Sequence, residues 1–135
     1  MLLKLHIIVA SAWLGLVAAE TIVELAAKDR ITRLFVSQAH KIIDLYFEGP
    51  LVILTLVTGV MLLAGIWPNV TALLIVKIAI ALVAIVGNLF CIHWVVRRAR
   101  ATTDDEFLKW ARKITFSGYA VPFGVIALLI GLFGL

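Results

Sequence analysis

Residues 2–24 read LLKLHIIVASAWLGLVAAETIVE, and this stretch decides the fold. It is an apolar segment of membrane-spanning length, since roughly 20 residues of helix cross a bilayer. His6, Trp13, Glu20 and Glu24 are spaced seven, seven and four apart. At about 100° per residue they fall within roughly 40° on one helix face. Placing such a stripe against lipid is costly, so it is expected to face protein, a cofactor or a cavity. The segment has no small-residue cleavage site leading into a soluble domain, so it is expected to remain a span.

The rest of the chain repeats the apolar theme. Of 135 residues 64% are hydrophobic, and the mean hydropathy is +1.14. A soluble domain lies nearer 45–50% apolar. The fold class expected is therefore all-α, an integral membrane four-helix bundle with short loops and one domain over 1–135. Spans are placed at about 3–24, 47–66, 71–95 and 114–134. The second is extended as an amphipathic helix from about residue 31, with a kink expected at Gly49-Pro50. Trp67-Pro68-Asn69 marks a tight turn, with Asn69 or Thr71 capping the next helix. Thr103 and Glu106 form a capping box that starts the fourth helix near Asp104. The single cysteine, Cys91, excludes an internal disulfide.

Ten of the twelve Lys and Arg residues, all but Lys4 and Lys77, flank the two connections 25–46 and 96–113. The positive-inside bias then puts both connections in the cytoplasm and both termini outside, in the periplasm of an inner membrane. The net charge of +4 is spent on topology, so no nucleic-acid partner is expected. Trp67 suits the outer aromatic belt, Trp94 and Trp110 the inner one.

Two polar groups follow. On the outer side are His6 and Lys77, the lysine about 9 Å into its span at 1.5 Å per residue. An intramembrane lysine is a functional candidate, with snorkelling to the surface as the plain alternative. On the inner side are Glu20, Glu24, His40, Asp44, Glu48, Asn88 and His93. Glu20 and Glu48 either form a proton-accepting cluster or pair with Arg97 or Lys113. Lys77 and Asn88, eleven apart, share a helix face, whereas His93 points elsewhere. The metal-ligating candidates are the three histidines: His6 with an outer partner, or His40 with His93. Catalytic roles are expected for Lys77 and Glu20, as charge and proton carriers.

The Leu5-His6 pair, Trp13 and Gly15 resemble the first helix of the HemJ-type membrane protoporphyrinogen oxidases and the related copper-resistance D-type membrane domains. Residues 50–67 and VKIAIALVAIVGN around Lys77 are similar to the family as well. The resemblance implies a bundle binding haem b, with His6, Trp13, Lys77 and Asn88 around the cofactor; Asn88 stands where the family carries a histidine. It also implies oxidoreduction with a quinone or porphyrin, so a haem-dependent membrane oxidoreductase is one expectation. Ion transport, copper included, is a second. A non-catalytic subunit or assembly factor of a membrane complex is a third. A homo-oligomer or membership of a larger membrane complex is expected with any of them.

Overall fold

The computed structural model describes residues 1–134, and the described residues are all-helical apart from short connections. Four helices are long and apolar enough to cross a membrane: α1 (Leu2–Ala26), α2 (Arg30–Ile66), α3 (Ala72–Ala99) and α4 (Asp104–Phe133). No more than 22% of the most apolar window of any of them is buried. Large apolar side chains such as Ile53, Val60, Ile75, Val86 and Phe123 point outward instead. So broad an apolar exterior fits a lipid environment and would be a liability in water.

The helix starts follow their caps. Thr71 Oγ1 accepts from the Leu74 amide at 3.2 Å, and Thr103 Oγ1 from the Glu106 amide at 3.3 Å. Asp29, unremarked in the sequence reading, caps α2 by accepting from the Thr32 amide at 2.9 Å. A bond from the Thr32 hydroxyl, together with that backbone bond, holds the Asp29 carboxyl below its usual range.

α2 is 37 residues long, about 55 Å, well beyond the roughly 30 Å hydrocarbon core. Ahead of Gly49-Pro50 the sequence predicts a kink. The chain answers with a π turn over Asp44–Glu48, in which the Gly49 amide donates to the Asp44 carbonyl. Pro50 has no N–H to give the preceding turn, and its ring crowds the carbonyl four residues back. A wider turn relieves both problems while the helix continues.

α1 packs on the Gly49–Ile66 half of α2 and on the Val121–Phe133 half of α4. α3 packs along both halves of α4 and on the first half of α2. The middle of the bundle is filled by Trp13, Leu14, Val52, Ala84 and Ile85. Small residues let α3 and α4 approach: a Cβ on Gly87 would stand 2.5 Å from that of Ala120. The 27–29 and 100–103 connections share one end of the bundle with most of the basic residues. There Lys113 Nζ lies 4.9 Å from the Trp110 ring centroid and 5.7 Å from that of Trp94.

Candidate functional site

At the basic end, α1 and α2 bring four ionisable side chains to one point. Glu20 comes from α1, and His40, Asp44 and Glu48 from α2. All four are buried, Asp44 at 1% and Glu48 at 2% exposure. One ligand-capable atom of each lies within 4.8 Å of the others. The π turn explains the alignment on α2. In plain α-helix each step of four residues overshoots a full circle by about 40°, so Glu48 would drift away from His40. The wider turn needs more residues per circle and returns Glu48 to the face of His40 and Asp44.

Hydrogen bonding fixes the histidine. His40 Nδ1 stands 2.6 Å from Glu24 Oε1. A carboxylate only accepts, so Nδ1 carries the proton and donates. The Arg98 Nη2 contact to the same nitrogen, at 3.3 Å, is then one of proximity between two donors. Arg98, 4% exposed, grips Glu24 with both Nη atoms, Nη1 to Oε2 at 2.9 Å and Nη2 to Oε1. The ring therefore turns its Nε2 inward, 3.6 Å from Glu20 Oε2 and 3.4 Å from Asp44 Oδ1. Glu20 Oε1 and both Asp44 oxygens have no hydrogen-bond partner. Only Glu48 has an outside donor, the Asn88 amide, whose own Oδ1 is left unpartnered.

The charge balance follows. Arg98, the buried guanidinium here, is matched by Glu24. Glu20, Asp44 and Glu48 remain beside the His40 imidazole, all of them buried. Uncompensated buried carboxylates are costly by several kcal/mol each. The arrangement is suited to taking up positive charge, as protons or as a metal cation. Its donor set is one imidazole nitrogen and three carboxylates, and it contains neither sulfur ligand nor second histidine.

The sequence-expected residues divide between two places. Glu20, His40 and Asn88 meet at the basic end. His93 is exposed on α3 and stands apart from the cluster. His6 and Lys77 do line one pocket at the opposite end, together with Trp13, but its volume is about 50 Å³. That is water-sized space. Thr58 Oγ1 donates to the Leu54 carbonyl at 2.7 Å, so His6 Nδ1 donates to Thr58 at 2.8 Å, leaving Nε2 free. Gly59 makes room for the ring, a Cβ there lying 3.3 Å from His6 Cε1. Lys77 is tucked against Gly131, where a Cβ would stand 2.7 Å from Nζ.

Arg98 is the functional residue that the sequence reading missed, having counted it as a topology signal. Its signal was the spacing Lys77, Ala84, Cys91, Arg98, four positions seven apart on one face of α3. The pairing expected for Glu20 or Glu48 with Arg97 or Lys113 is not formed; the buried guanidinium of Arg98 pairs with Glu24 instead. Comparisons of the chain with protein-family models, curated proteins and solved structures found no match.

Proposed function

We propose that this is a multi-pass membrane protein that holds a divalent first-row metal cation at its basic, cytoplasmic end. The ligands are His40 Nε2 and carboxylate oxygens of Glu20, Asp44 and Glu48. The observation that carries the reading is the His40 ring, anchored through Nδ1 by Glu24 and Arg98 with Nε2 facing three carboxylates. An imidazole oriented by a carboxylate behind it is the usual outer support of a metal ligand. Four-helix bundles build such sites from inward carboxylates and histidines. Nitrogen and oxygen donors suit Mn²⁺, Fe²⁺ or Zn²⁺, whereas Cu⁺ prefers sulfur. The cation serves either ion handling or metal-dependent chemistry at the membrane.

The test is metal content of the purified protein after equilibration with each ion. One equivalent per chain is expected. Asp44→Asn, which keeps the volume and removes a charge, is expected to weaken binding at least tenfold. Equal affinity for the ion in wild type and Asp44→Asn, measured by titration of metal-free protein, would sink the reading.

A haem b protein in electron transfer to a quinone or porphyrin is the second reading. The observation favouring it is that His6 and Lys77 line one pocket. That pocket would have to widen from about 50 Å³ to admit a macrocycle. A visible spectrum of the same preparation separates the two: a Soret band that disappears in His6→Ala supports haem.

A further inference from the structure

A second cavity-bearing feature lies beside the cation cluster. α1 packs on the far half of α4 but makes no comparable contact with its Asp104–Ser117 half. The gap is a cavity of about 440 Å³. Ligand pockets typically measure about 300–1,000 Å³, so this one is large enough for a small organic molecule. Along α1 it runs from Trp13 to Leu25, roughly 18 Å at 1.5 Å per residue.

The lining is graded along the cavity. Its deep end is apolar, with Trp13, Ala84, Ala120 and Val121. Its mouth carries Lys28, Arg33 and Arg112, all exposed. None of these three cations is in an ion pair among the described residues, whereas Arg30 is matched by Asp104 and Arg98 by Glu24. Phe107 and Leu108, in the first turns of α4, add apolar surface to the lining. A cavity with an apolar deep end and an unmatched cationic mouth is complementary to a molecule with a hydrocarbon tail and an anionic head.

We infer that this cavity binds a single-chain amphiphile with an anionic head group. The chain lies between α1 and the first half of α4 with its end near Trp13. The head is held at Lys28, Arg33 and Arg112. Burying the chain contributes about 0.8 kcal/mol per methylene, and the three cations select the head's sign. Glu20, His40 and Asn88 line one side of the cavity, so the chain passes beside the cation cluster. The inference goes beyond the metal reading and does not depend on it.

The test uses fluorescence quenching in nanodiscs of zwitterionic lipid, with EDTA present so that no metal contributes. Trp67, Trp94 and Trp110 are replaced by Phe, leaving Trp13 as the reporter. Fatty acids brominated near the chain end are titrated against the same chain bearing a trimethylammonium head, and against its phosphate monoester. Saturable quenching by the anions, at least tenfold tighter than by the ammonium compound, is expected. The carboxylate and phosphate arms tell a fatty acid from a single-chain phospholipid. Ala111→Phe and Val17→Phe fill the cavity from opposite walls without altering charge, and each is expected to abolish saturation. Lys28→Gln with Arg112→Gln is expected to weaken the anions tenfold or more. Quenching that is linear, indifferent to head-group sign, or intact in both folded cavity-filling variants would overturn the inference.

Discussion

Arg98→Met tests whether the buried guanidinium holds the basic end together. Arg98 is 4% exposed and donates through both Nη atoms to Glu24, which in turn accepts from His40 Nδ1. Methionine keeps the apolar stem's bulk and deletes the charge. Glu24 is then an unmatched carboxylate beside Glu20, Asp44 and Glu48, and breaking a buried pair from one side costs about 3–5 kcal/mol. The double variant Arg98→Met with Glu24→Leu removes both charges. It leaves one orphan, the His40 Nδ1 proton, worth about 1–3 kcal/mol. The single variant is therefore expected to be less stable than the double, by about 2 kcal/mol. Unfolding free energies in mixed micelles, titrated with a denaturing detergent, measure this directly. A double variant no more stable than Arg98→Met would refute the reasoning, as would a single variant within about 1 kcal/mol of wild type.

Gly87→Ala places a methyl group 2.5 Å from the Ala120 Cβ, so α3 and α4 must part. A loss of about 1–3 kcal/mol is expected in the same titration, and Ala120→Gly in that background restores most of it. At the start of α2 the Asp29 carboxyl is held below its ordinary value by the Thr32 hydroxyl and amide. Because the folded value is the lower one, this cap is complete above the unfolded value near 3.8 and is lost as pH falls through the folded value. The protection factor of the Thr32 amide, its exchange rate relative to the intrinsic rate at the same pH, should therefore be high at neutral pH and fall in strong acid, and Asp29→Asn should remove that fall. A reporter fused to the C-terminus should be active only when it reads the periplasm, given where the basic residues cluster; activity in the cytoplasm alone would reverse the orientation.

The four apolar runs and the caps at Thr71 and Thr103 were legible because they rest on local rules: length, periodicity and a hydroxyl three residues before an amide. Helix phase also separated Asn88, which is buried, from His93, which is exposed. The π turn was not legible. Gly49-Pro50 announces a disturbed helix, but whether the chain bends or widens depends on what the turn must pack against. Arg98 was misjudged for a related reason. Beside Arg97 and Arg100 it reads as one more basic residue at a membrane boundary. Its burial is decided by Glu24, which lies 74 residues away in sequence. The meeting of His6 with Thr58 likewise depends on α1 lying against α2, which no local pattern states.

The widened turn in α2 gives the cation cluster an unusual sensitivity. Leu45, Tyr46 and Phe47 are exposed, so replacing any of them touches nothing in the site. Inserting one residue among them is a different operation. The π turn already absorbs one residue beyond ordinary helix, so a chain one residue longer between His40 and Pro50 swings His40 and Asp44 about 100° relative to the remainder of α2, whereas a chain one residue shorter can close the turn into ordinary helix and keep them in place. In the longer chain the carboxylates would all still be present in the sequence and would no longer meet. The cluster is thus encoded by residue count as much as by residue identity, and an insertion scan across these three positions should reveal a site that a substitution scan passes over.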